Sequence, residues 1–93
     1  MLIYRMLPPP PQPLGYTVYT RPGCRFCDLV KELLQGEQTF ILDASPYLAD
    51  RDAFLAFIDA QGAACHRTFP MVFFDGKFIG GFTETYEKMK EVS

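Results

Sequence analysis

The spacing of apolar positions changes repeatedly along the chain, and each change marks an element. Tyr16–Thr20 combines β-branched and aromatic residues and predicts a strand. From Arg25 the apolar residues fall at Phe26, Leu29, Val30, Leu33 and Leu34. That is the spacing of one helix face, and Gly36 supplies its C-terminal stop. Thr39–Asp43 reads as a second strand. Ser45-Pro46 signals a helix entry, Phe54, Leu55, Phe57 and Ile58 give that helix an inward face, and Gln61-Gly62 ends it. Met71–Phe74 is a third strand, and Asp75-Gly76 is a type I′ hairpin signal leading into Lys77–Ile79. Gly80-Gly81 breaks that strand. Thr83 is then placed to N-cap a last helix, with Phe82, Tyr86 and Met89 as its buried stripe. Glu84 and Glu87 lie toward the positive end of that helix, and Lys88 and Lys90 toward its negative end.

The order is therefore β-α-β-α-β-β-α, with no internal repeat. The first βαβ unit has to be parallel with a right-handed crossover, while the hairpin adds antiparallel strands. Residues 1–14 stand apart from the domain at 15–93. Five prolines between Pro8 and Pro13 favour an extended polyproline conformation and cannot continue a helix or an inner strand. Such a segment can dock in an aromatic-lined groove, but the simpler reading is a stiff leader ahead of the domain.

Composition narrows the class. The chain has 93 residues, enough for one domain with a core, and its 48% apolar and 22% charged residues fit a soluble globular protein. A net charge of −2, a pI near 5.2 and the absence of a basic run argue against nucleic-acid binding. No apolar stretch approaches the roughly 20 residues of a membrane span. Met1–Leu7 is too short for a secretory apolar region and runs into prolines, so a cytoplasmic location is expected; a monomer is expected as well. Three cysteines, an odd number, do not make a structural disulfide framework.

Cys24-Arg25-Phe26-Cys27 carries the chemistry. The pair follows a strand and Arg21-Pro22-Gly23, and it opens a helical pattern. A thiol at a helix start meets unpaired backbone N–H groups and the positive end of the helix dipole, which favour the thiolate. Thiols so placed titrate at about 3.5–7.5 rather than about 8.5. Arg21 and Arg25 add positive charge beside Cys24, the candidate nucleophile. Cys27, one turn further in, is the candidate resolving thiol for a mixed disulfide formed on Cys24. Two alternatives remain beside this one. The pair could pack as small apolar residues, or it could bind zinc together with Cys65 and His66. The adjacency of Cys65 and His66 and the absence of a second Cys-x-x-Cys both weigh against zinc, so no metal is expected. Cys65 alone reads as a loop thiol outside the catalysis and His66 as a surface residue.

Two further segments draw attention. Pro70 in Thr68-Phe69-Pro70 stands just before an apolar run, a position open to proline at a strand start. A cis Phe69–Pro70 bond would bare the Phe69 backbone to an extended peptide, whereas a trans bond would simply begin the strand. Gly80-Gly81 lets the backbone approach a ligand, and the helix after it offers N–H groups to a carboxylate; a plain strand-to-helix turn is the other reading.

Val18–Cys27, Thr68–Pro70 and Ile79–Glu84 together resemble the small dithiol glutaredoxins, in order and at matching separations over about residues 16–91. The resemblance implies a thioredoxin fold, a four-stranded mixed sheet flanked by three helices. It also implies glutathione-dependent reduction of protein disulfides and of glutathione mixed disulfides, with ribonucleotide reductase as one protein partner known to the family. By the same resemblance Cys24 attacks and Cys27 resolves. Arg21 meets a glutathione carboxylate, Phe26 and Thr68 flank the bound tripeptide, and the backbone of Phe69, ahead of a cis Pro70, pairs with its cysteinyl part. Gly81, Phe82, Thr83 and Glu84 hold the γ-glutamyl end, with Glu84 taking the ammonium.

This chain departs from the family at defined points. Arg25 and Phe26 replace the proline and tyrosine of the common Cys-Pro-Tyr-Cys, Phe69 replaces a commoner valine, and Glu84 stands where aspartate is usual. Two rival functions share the motif. One is a thioredoxin-like electron donor reduced by a flavin enzyme. The other is a module holding an iron–sulfur cluster between two protomers through Cys24 and glutathione.

Overall fold

Strand β1 (Tyr16–Thr20) is buried at all five residues, because it runs through the middle of the sheet with side chains packed on both faces. The structure is a computed structural model that describes residues 7–63 and 66–92. After β1 come α1 (Arg25–Leu33), β2 (Thr39–Asp43), a 3₁₀ helix (Ser45–Asp50) and α2 (Arg51–Ala60). Strands β3 (Met71–Phe74) and β4 (Lys77–Gly80) and helix α3 (Phe82–Val92) complete the order. The strands lie β2-β1-β3-β4, with β1 parallel to β2 and the other two pairs antiparallel. The expected mixed sheet and its three α-helices are therefore present.

Alternation along the strands splits the core in two. Tyr16 and Val18 of β1 and Val72 of β3 pack with Val30 and Leu34, and with Phe82 and Met89 of α3. Tyr19, Met71 and Phe73 point the other way, to Phe54 and Ile58 of α2. Full burial of a side chain such as Phe54 or Ile58 contributes about 1.5–3 kcal/mol. The hairpin turns as its sequence requires: Asp75 and Gly76 have φ of 49° and 81°, the left-handed pair of a type I′ turn.

Five local expectations are corrected. Ser45-Pro46 opens the 3₁₀ helix, not α2; Asp50 leaves helical geometry, and its carboxylate accepts from Ala53 N–H at 3.1 Å to start α2 afresh. Helix α1 is closed by Leu34, two residues before Gly36. Strand β4 continues through Gly80, where a bulge pairs Val72 with Gly80 and Phe73 with Phe78. Thr83 does not cap α3. Gly81 does, its carbonyl accepting from Thr85 N–H (3.1 Å) and its own N–H donating to Glu84 Oε1 (2.8 Å), the back-bond of a capping box. Finally, Tyr86 is 41% exposed and stacked on Phe82, while Thr85 takes the buried position.

The proline segment touches the sheet. Tyr19 Oη donates to the Pro9 carbonyl at 2.7 Å, Gln12 N–H donates to Thr17 Oγ1 at 2.9 Å, and Pro8 is buried. Tyr19 and Thr17 share a strand face with the α2 contacts, so residues 8–12 lie on that side. Among the described residues, no helix is long and apolar enough to cross a membrane.

Candidate active site

Strand β1 delivers the chain to Arg21-Pro22-Gly23, where Gly23 takes φ +71° and turns the backbone into α1. Cys24 is the N-cap of that helix, with extended backbone angles (φ −102°, ψ 108°). Its sulfur occupies the place of a capping oxygen and accepts from Cys27 N–H at 3.2 Å. Cys24 and Cys27 are joined as a disulfide with Cα atoms 5.2 Å apart. Cys27 is fully buried and Cys24 is half-buried, so solvent reaches only the Cys24 side of the pair.

The Phe69–Pro70 bond is cis, and the Phe69 carbonyl oxygen lies 3.7 Å from Cys24 Sγ. Two hollows flank this point and share Phe26, Thr68 and Phe69. One, of about 440 Å³, runs from Pro70 to the start of α3 and is closed by Gly81, Phe82, Thr83 and Glu84. The other, of about 480 Å³, lies beside Arg21 and Cys24. Arg21 sits over the Phe69 ring at 5.8 Å, and Phe26 and Phe82 approach across the first hollow at 5.9 Å. Phe26 is 54% exposed, an apolar ring left open beside the disulfide. Apart from buried Cys27 and from Gly80, the residues the sequence marked for this region each line one of the hollows.

Several lining residues gave no sequence signal. Arg51 and Leu48 reach the second hollow from the 3₁₀–α2 corner, and Arg67 lines it while bonded to Asp59 by two N–H groups at 2.9 and 3.2 Å. His66, read as a surface residue, lines the first hollow. Its ring meets Phe78 edge-on at 4.9 Å, and its Nε2 is buried without a hydrogen-bond partner. The strand–helix alternation could have placed Arg51 at a helix start, but only the fold carries it to Cys24. Cys65 lies outside the described residues. Among the described residues, no three His, Cys, Asp or Glu side chains are gathered as a metal site.

The arrangement is that of a redox pair: one reachable sulfur at a helix N-terminus, a second buried behind it, and a bared backbone edge alongside. The comparisons agree. A family model described as Glutaredoxin matches residues 16–79. A glutaredoxin of Neisseria meningitidis is 31% identical over 80 residues, covering 81% of this chain and 85% of its own. Among solved structures, a buckwheat glutaredoxin–glutathione complex superposes with a TM-score of 0.67 at 30% identity, over 83% of this chain and 69% of that one. Glutaredoxin 1 of Francisella tularensis, complexed with cacodylate, gives 0.66 at 28%, over 83% and 93%. Fold, disulfide pair and relatives converge: this chain belongs to the glutaredoxin family and is a thiol–disulfide oxidoreductase.

Proposed function

We propose that the protein reduces glutathione mixed disulfides and protein disulfides at the expense of glutathione, with Cys24 as nucleophile and Cys27 as resolving thiol. The position of Cys24 carries this reading: a half-buried sulfur at the α1 N-terminus, receiving an amide N–H from Cys27. That environment stabilises a thiolate, and a thiolate is the attacking species in disulfide exchange.

Glutathione lies along both hollows, its cysteinyl backbone paired with Phe69 and its sulfur at Cys24. Arg21 takes the glycine carboxylate, and Arg51, on the same hollow, joins it. The γ-glutamyl carboxylate meets the N–H groups that begin α3, near Thr83. Glu84 spends Oε1 on the Gly81 N–H, which leaves its other oxygen for the ammonium. The glutathione complex of the buckwheat relative supports this occupant.

In the monothiol route, the Cys24 thiolate attacks the glutathione sulfur of a mixed disulfide. The protein thiol leaves and Cys24 becomes glutathionylated. A second glutathione then attacks that bond, releasing glutathione disulfide and the Cys24 thiolate. In the dithiol route, Cys24 attacks a protein disulfide and Cys27 displaces the remaining thiol. The Cys24–Cys27 disulfide that results is reduced by two glutathione molecules. Its dependence on reduced glutathione puts this work in the cytosol.

Turnover of hydroxyethyl disulfide with glutathione and glutathione reductase tests the roles. Cys24→Ser abolishes turnover and Cys27→Ser retains much of it; equal loss in both would contradict the assignment. Faster reduction of the protein by a thioredoxin reductase than by glutathione would favour the thioredoxin-like rival.

A further inference from the structure

The hollow beside Cys24 holds more positive charge than one carboxylate requires. Arg21, Arg25, Arg51 and Arg67 all line it, and they are all the arginines among the described residues. Arg67 is bonded to Asp59, but Arg21, Arg25 and Arg51 make no salt bridge within the described structure. The hollow has no acidic lining residue, although the chain as a whole carries a net charge of −2. Such clustering on an acidic protein concentrates a positive field at the mouth of the site.

Binding direction gives this field a target. Glutathione, oriented as proposed above, places the residue that follows its cysteine, the glycine, at this hollow. An internal protein segment bound in the same direction has no terminal carboxylate there. An Asp or Glu side chain just after the target cysteine restores the missing anion, and a second acid has Arg25 or Arg51 to meet. We propose that this protein selects disulfides whose target cysteine is followed by acidic residues, and that Arg25 is the specificity-determining residue added by its Cys-Arg-Phe-Cys motif. This rests on the glutathione orientation of the proposed function.

The bond chemistry is that of the dithiol route. The Cys24 thiolate attacks one sulfur of the substrate disulfide, and the other sulfur leaves as a thiolate. Cys27 then displaces the bound segment, so the substrate gains two electrons and the enzyme pair loses them. Acidic side chains in the arginine hollow hold the segment while the first exchange occurs.

The test uses pre-reduced, desalted protein and symmetric disulfide-linked peptides, with released thiol read in a single turnover. The peptides carry Cys-Asp-Asp, Cys-Asn-Asn or Cys-Lys-Lys, and a fourth carries Asp-Asp-Cys. We expect Cys-Asp-Asp to react about tenfold faster than Cys-Lys-Lys at low salt, from a few partly exposed ion pairs. The gap narrows at high ionic strength, and Cys-Asp-Asp outpaces Asp-Asp-Cys. Arg25→Gln reduces the Asp-to-Asn rate ratio about threefold, the share of one such pair. A change in thiolate character alone would alter all peptides alike and leave that ratio in place. Equal rates for all peptides, no preference for acids after the cysteine, or an unchanged ratio in Arg25→Gln would overturn the inference. No glutathione is present in this reaction, so failure of glutathione turnover strikes the proposed function separately.

Discussion

Replacing Gly80 with alanine strikes the joint between β4 and α3. Gly80 has φ +133°, where L side chains are strained, and an added Cβ would stand 2.6 Å from both Cγ and Oε1 of Glu84. Those are the atoms that bring the Glu84 carboxylate to the Gly81 N–H at 2.8 Å. The backbone conformation costs of order 1–3 kcal/mol, and loss of the capping bond about 1 kcal/mol more. A total of about 2–4 kcal/mol, at about 4–8 °C per kcal/mol for a domain of this size, lowers Tm by at least about 8 °C. Thermal unfolding followed by far-ultraviolet circular dichroism reads this directly. Because the same helix start is proposed to hold the γ-glutamyl carboxylate, KM for glutathione rises in whatever protein remains folded. Glu84→Ala removes the two nearest clashing atoms and leaves only its Cβ, at 2.8 Å, and the capping bond can be lost only once, so Gly80→Ala/Glu84→Ala loses less stability than the two single losses added together. A Gly80→Ala protein within about 2 °C of its parent would refute the reasoning.

Tyr19→Phe removes the phenol that holds the Pro9 carbonyl; it costs about 0.5–1.5 kcal/mol and speeds proteolysis within residues 8–14, both measurable on purified protein. Burial pushes the Tyr19 phenol well above its ordinary value, as it also raises Tyr16, where the charges of Glu37 and Asp75 add to the effect. A raised phenol favours the protonated folded state, so that stability is fully present below about pH 10 and is lost as pH climbs toward the folded value. Urea midpoints between pH 8 and 11 should therefore fall, and fall less steeply in Tyr19→Phe; a parallel decline would contradict this. Arg51→Gln raises KM for glutathione about threefold to tenfold with little change in kcat, the mark of lost ground-state binding. An unchanged KM would remove Arg51 from the glutathione site.

Local residue chemistry made much of this protein legible. Strands, the hairpin and the α1 start follow from β-branched and aromatic runs, Asp75-Gly76 and the turn before Cys24, all short-range signals. Elements went astray where two local rules competed. Pro46 can begin either kind of helix, and only the non-helical Asp50 decides that α2 starts later. Thr83 looked like the cap because hydroxyls commonly are, yet Glu84 reaching back to Gly81 shifts the helix start earlier. Tyr86 fell on the expected stripe but faces outward, stacked on Phe82, while Thr85 holds the buried position. The arginine hollow was invisible for a different reason: Arg51 and Arg67 come from separate elements, and no spacing rule records a meeting made by the sheet. The hold of Tyr19 on the proline segment is equally non-local.

The central claim concerns the charge on one sulfur, and alkylation of reduced protein by iodoacetamide across pH 3–10 measures it most directly in a Cys27→Ser/Cys65→Ser background, where Cys24 is the one thiol left. The thiol favoured by the α1 N-terminus and nearby arginines gives a rate that rises with a midpoint below about pH 7. A midpoint at or above about 8.5, the value of an ordinary thiol, would mean that this environment does not hold Cys24 as a thiolate.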